Sequence, residues 1–126
     1  MSPPTIAVVG ASGDRRKFGN KAVRAYAARG YTVYPVHPRE GAVEGWPACR
    51  AVSHIPVERL DRVSIYLPPD LALTVLDDIS RKPVGQVWLN PGSERTDVLA
   101  RAKELGLPVV VGCSITDIGV DPHALS

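Results

Sequence analysis

An α/β domain whose parallel sheet is covered by helices on both faces is the fold class this sequence predicts, and three observations predict it. Short β-branched or aromatic runs alternate with amphipathic helical stretches; a glycine-rich turn, GASG at Gly10 to Gly13, directly follows the first run; and 126 residues with 44% apolar content can bury one ordinary core but not two. The five runs are residues 5–9, 31–36, 63–67, 86–89 and 108–111. Each is apolar enough to be buried on both faces of a sheet.

The first helix is expected over residues 20–29, where Ala22, Val23, Tyr26 and Ala27 share one side and Gly30 can take the left-handed conformation that ends a helix. Asp70 can cap the second, whose Ala72, Val75, Leu76 and Ile79 recur at i, i+3, i+4 and i+7. The third carries Val98, Leu99, Ala102 and Leu105, with Ser93 as its cap, Glu94 in its first turn and Gly106 at its end. Between His37 and Asp61, Gly41, Gly45 and Pro47 argue for a loop, with a short helix near residues 57–60. Right-handed crossovers then give one three-layer, Rossmann-like domain over residues 1–126, with an expected strand order of 3-2-1-4-5.

Ligands of such sheets bind beyond the carboxyl ends of the strands, which here selects the loops 10–19, 37–39, 68–70, 90–94 and 112–114. From Arg15 to Arg39 the chain has seven Lys or Arg and no Asp or Glu, whereas the whole chain has a net charge of only +2. This concentration predicts a polyanionic ligand at one site rather than general attraction to nucleic acid. The dinucleotide fingerprint GxGxxG is broken, because its second and third glycines fall on Ser12 and Arg15. Gly10, Ala11, Ser12 and Gly13 can still curl backbone N–H groups around phosphate, with Arg15, Arg16 or Lys17 turned inward. The second strand ends in TVYPVHPR without the acid that would bind ribose hydroxyls. His37, Pro38 and Arg39 instead favour a ribose phosphate, as NADP or coenzyme A carries.

Taken together, IAVVGASGDRRKFGNKAVRAYAARGYTVYPVHPR, VSIYLPPDLALTVLDDI, VWLNPGSE and LPVVVGCSI cover nearly the whole chain, and it resembles the small CoA-binding proteins of Rossmann type, similar to the nucleotide-binding domain of succinyl-CoA synthetase α subunits. The resemblance implies a coenzyme A site formed by the GASG turn, Lys17, the end of the second strand and the start of the loop after the fourth. His37 is a departure, since the family commonly has Asn there in a VNP motif. No counterpart of the synthetase's catalytic histidine domain is matched, so ligase chemistry is not expected of the chain by itself.

Around that site, Pro68 and Pro69 are expected to wall the adenine pocket. Asn90, Pro91 and Gly92 are placed to meet the pantetheine arm, and Cys113 lies where its sulfur would finish. The three histidines lack metal-ligand spacing, and Ser12 is not in a GxSxG elbow. The function expected is therefore binding of coenzyme A or an acyl-CoA without chemistry of its own. An NADP-dependent oxidoreductase and the CoA-binding subunit of a larger acyl-CoA ligase are the alternatives. A second copy of the chain or an acyl-CoA enzyme would be its protein partners. Two cysteines without a framework and the lack of a long apolar run predict reduced thiols, no membrane association and a cytoplasmic setting.

Overall fold

In the computed structural model, which describes residues 2–126, seven strands and four helices alternate along the chain. The main elements are β1 (Thr5–Val9), α1 (Phe18–Ala28), β2 (Thr32–Val36), β5 (Leu60–Ile65), α2 (Pro69–Ile79), β6 (Val84–Leu89), α3 (Thr96–Glu104), β7 (Val109–Val111) and α4 (Ser114–Asp117). Between β2 and β5 a two-stranded ribbon, β3 (Ala42–Val43) and β4 (Trp46–Pro47), precedes a single 3-10 turn at Val52–His54. The short helix expected near residues 57–60 is absent. Leu60 instead opens β5, its N–H donating to the Pro83 carbonyl.

All five strands of the large sheet run parallel, but their order is β2-β1-β5-β6-β7, which corrects the expected 3-2-1-4-5. The third main strand pairs with the first, so β2 lies at the edge. Pro35 explains why. It has no N–H to give a further strand, and in the parallel ladder its missing donor points away from β1. Among the described residues one docks there: Cys49 donates to the Pro35 carbonyl and accepts from the His37 N–H, both at 2.9 Å.

The register aligns Val9 with Val36 and Ile65, Ile65 with Leu89, and Leu89 with Val111. All five strands thus end in one row, and their loops share one rim. On one face Ala7, Val9, Val63, Ile65, Val87 and Leu89 pack against Leu76 and Ile79 of α2 and Val98 and Ala102 of α3. On the other, Ile6 and Val8 meet Ala22, Val23 and Tyr26 of α1 and Ile115 of α4. These are the three layers expected. The stripe of α3 is narrower than its sequence suggested, because Leu99 is 39% exposed.

The expected caps also change. Pro68 and not Asp70 precedes α2, and Asp70 pairs across the rim with Arg95 at 2.8 Å. Helix α3 starts at Thr96, so Ser93 and Glu94 lie outside it. Ser93 is instead a buried latch, its hydroxyl bonded to the Leu67 carbonyl at 2.6 Å and the Ile65 carbonyl at 3.2 Å. The Glu94 carboxylate accepts from the Gly92 N–H at 3.0 Å.

Candidate functional site

Beyond the ends of β1, β2 and β5 the rim opens into a cleft of about 760 Å³, at the point where the chain, having moved from β1 to β2, returns across β1 to start β5. Its floor is the turn after β1. Gly10 takes φ +91°, and a Cβ there would stand 2.5 Å from the Tyr66 carbonyl oxygen, so only glycine lets the turn lie against the β5 loop. Asn20, fully buried in α1, ties the turn down by donating to the Ser12 carbonyl at 2.8 Å.

This turn leaves a set of unused donors. The N–H groups of Ala11 and Ser12 have no partner among the described residues, nor do those of Phe18 and Gly19 in the first turn of α1. Helix α1 has no side-chain cap and no acid in its first turn. All four residues line the cleft, together with Lys17. Unpaired N–H groups at a helix N-terminus favour an anion that can accept from them.

Of the residues singled out from sequence, Gly10, Ala11, Ser12 and Lys17 line the cleft; so do His37, Pro38 and Arg39 from the end of β2, and Pro68, Pro91 and Gly92 from the loops after β5 and β6. Gly13 and Arg16 do not. The Gly13 N–H donates to the Glu40 carboxylate at 3.1 Å, and Arg16 pairs with Asp14 at 3.0 Å, a hydrogen bond that holds the Asp14 carboxyl down to about 2. Asn90 and Cys113 line a side recess of about 80 Å³ with Phe18, Tyr66 and Pro91, and the last three also line the main cleft. Asn90 itself is spent on the fold: its amide donates to Ser64 Oγ and the Ile65 carbonyl, and its oxygen accepts from the Ser114 N–H.

The basic segment is not gathered around the cleft as the sequence suggested. Of its seven cations, Lys17 and Arg39 line the cleft and the others serve the fold. Arg15 pairs with Glu44 of the ribbon, whose carboxyl is kept low mainly by the Asn20 amide and also by Arg15. Lys21 donates to the Pro122 carbonyl at 3.0 Å, and Arg24 to the Arg15 carbonyl at 2.8 Å. Arg29 donates to the Ile118 and Gly119 carbonyls, each at 3.0 Å. Their charge gave the signal, but the fold's own carboxylates and carbonyls accept from them.

Sequence reasoning missed the apolar walls and one cation. Phe18 and Leu71, 46% and 51% exposed, face the same cleft from the starts of α1 and α2, and Tyr66, Thr74 and Val75 continue its lining. A large apolar residue at each helix start was the available signal. The cation is Arg50. The Tyr66 hydroxyl is bonded to Ser114 Oγ at 2.9 Å, and burial pushes its pKa up, so it stays a neutral wall. Among the described residues no cluster of three or more His, Cys, Asp or Glu is placed to hold a metal, and no helix is long and apolar enough to cross a membrane.

Comparison with known proteins gives consistent matches. A family model described as a CoA binding domain matches residues 4–118. The ADP-forming acetate–CoA ligase I of Archaeoglobus fulgidus is 31% identical over 97 residues, 76% of this chain and 14% of the ligase. The α subunit of the ADP-forming acetate–CoA ligase II of Pyrococcus furiosus is 35% identical over 108 residues, 82% of this chain and 23% of the subunit. The chain therefore spans less than a quarter of the curated relatives it matches. A conserved hypothetical protein from Pyrococcus furiosus superposes with a TM-score of 0.82 at 26% identity, over 90% of this chain and 98% of that one.

Proposed function

Since this chain belongs to the CoA-binding domain family, we propose that it binds coenzyme A or an acyl-CoA through the glycine-rich turn after β1, as a module without chemistry of its own. The observation that carries this reading is the set of unpaired N–H groups at Ala11, Ser12, Phe18 and Gly19 beside Lys17. They offer a diphosphate both hydrogen bonds and positive charge. Adenine would lie against Pro68 and Leu71, and the pantetheine arm would run past Phe18 and Pro91 toward the side recess. A second reading has the same site working as the CoA-binding part of an acyl-CoA ligase, with catalysis supplied by a partner. The likeness to a ligase α subunit favours it, and copurification of a partner would test it.

The direct test compares coenzyme A, acetyl-CoA, NADP, NAD and ADP by thermal shift and calorimetry on one preparation. Coenzyme A is expected to raise the melting temperature more than NAD does, in keeping with stabilisation of about 2.7 kcal/mol when ligand stands at about 100 times its Kd. Tighter binding of NAD than of coenzyme A would overturn the assignment. Lys17 is exposed and makes no side-chain bond among the described residues, so Lys17→Ala is expected to cost about 1 to 3 kcal/mol of CoA affinity with no change in stability. An unchanged Kd at low salt would move the phosphate elsewhere.

The thiol end has its own readout. If the arm ends in the recess, the Cys113 thiolate can attack coenzyme A disulfide, forming a protein–CoA disulfide and releasing one coenzyme A thiolate. Mass spectrometry is expected to find the adduct on Cys113 in preference to Cys49, and Cys113→Ser to abolish it while reversible binding persists. Equal labelling of both cysteines would detach the recess from the thiol.

A further inference from the structure

Arg50 stands outside every motif in the sequence, yet it lines the same cleft as His37, Pro38 and Arg39. Its position follows from the edge of the sheet. Pro35 cannot donate outward, so the β2 edge accepts no full strand. It does take Cys49, held by two backbone bonds of 2.9 Å and aligned parallel to Val36. A residue running parallel to β2 carries its successor toward the same rim on which β2 ends. The chain therefore delivers Arg50 next to the His37 turn, after leaving it through the whole β3–β4 ribbon. The turn is itself held, because His37 Nδ1 accepts from the N–H groups of both Arg39 and Glu40 at 3.0 Å.

Neither Arg39 nor Arg50 has a side-chain partner among the described residues, and both are exposed. Glu40, next to Arg39, is engaged on the Gly13 N–H, and Glu44, the acid closest in sequence to Arg50, on Arg15. The cleft thus has two separate cationic stations: Lys17 with the free N–H groups at the start of α1, and an arginine pair at the β2 edge. A ligand carrying only a diphosphate would satisfy the first and leave the second empty.

We infer that Arg50, with Arg39, forms a second anion station for the phosphomonoester on the ligand's ribose, and that Arg50 is a determinant of selectivity for coenzyme A over dephospho-coenzyme A. The inference rests on the CoA reading above. A planar guanidinium presents paired donors that match phosphate oxygens, and two of them suit a dianion better than either alone.

Calorimetry of the wild-type chain, Arg50→Ala and Arg50→Lys against coenzyme A and dephospho-coenzyme A tests it. The wild type is expected to favour coenzyme A by about tenfold or more, the usual range for a charge-assisted contact. Arg50→Ala should lose about tenfold in coenzyme A affinity and less than about twofold for the dephospho form, with Arg50→Lys between the two. The melting temperature of the unliganded Arg50→Ala variant should not move, since no side-chain hydrogen bond or ion pair among the described residues is removed. Equal weakening toward both ligands, or no weakening toward either, would overturn the role of Arg50. If the wild type binds both ligands equally well, the second station falls and the CoA reading stands. If it binds neither, the CoA reading falls with it.

Discussion

Gly19→Ala is expected to lower stability by about 3 kcal/mol, the upper end of what overpacking costs, and to abolish ligand binding. The reason lies in how closely α1 approaches the end of β1. A Cβ on Gly19 would stand 2.1 Å from the Gly10 carbonyl oxygen, 3.0 Å from its carbon and 3.2 Å from Ala11 Cα. All three are backbone atoms, so no rotamer relieves the clash and the helix must move away from the turn. That movement separates the unpaired N–H groups of Gly19 and Phe18 from those of Ala11 and Ser12, which a phosphate would have to bridge. Thermal unfolding should register a drop of about 10 °C, using the usual entropy of unfolding for a domain of this size. Gly41→Ala is the control: nothing lies within 4 Å of its added Cβ, and its stability should be unchanged. A Gly19→Ala variant with wild-type melting and wild-type affinity would refute this account of the turn.

Asn90→Ala is expected to cost about 2 to 4 kcal/mol, combining a buried unpaired donor with a small cavity. Ile65 and Ser64 keep other partners after the substitution, since the Ile65 carbonyl also accepts from Ser93 and Ser64 Oγ also bonds Ser114 Oγ at 2.6 Å. The Ser114 N–H does not. It is buried at the start of α4 and its acceptor is Asn90 Oδ1 at 2.8 Å. Asn90→Asp should be worse than alanine, because a carboxylate oxygen would replace the donor that faces the Ile65 carbonyl. Denaturant titration measures both. The accompanying loss of CoA affinity in the folded protein should be small, because the polar atoms of Asn90 are already used. A stable Asn90→Ala variant that fails to bind would instead make this residue a ligand contact.

These two residues illustrate how far the sequence could be read. Strand and helix periodicity located β1, β2, β5, β6, β7 and the three long helices to within a few residues, since a buried face imposes its period on the chain. The strand order was harder, because no residue of β5 names its neighbour. One residue carried the information: Pro35, whose missing donor suits an edge strand and not the central position that the order 3-2-1-4-5 gave to β2. At the site, glycine turns and strand-end loops were legible because the fold dictates where strands end. Which cation turns inward was not. Arg16 and Lys17 are adjacent and chemically alike, yet Asp14 engages the first and the cleft receives the second. Arg50 was further out of reach, since its location depends on a single bridge made by Cys49.

The cations that fasten the chain's own segments carry one more consequence. Arg15 and Arg16 are paired with carboxylates, so seen from a distance each pair is close to neutral. Lys21 and Arg29 are bonded to backbone carbonyls, which are dipoles and leave the whole unit charge in place. Two cations with no carboxylate partner among the described residues therefore stand on the α1 segment, and Lys21 is one turn from the helix start that lines the cleft. They need not touch an anion to attract it, and their pull reaches about 8 Å through physiological salt, further than any hydrogen bond. The same side chains that hold the carboxyl-terminal segment against α1 thus tilt the encounter kinetics toward anionic visitors, and dilution of the salt should lengthen that reach.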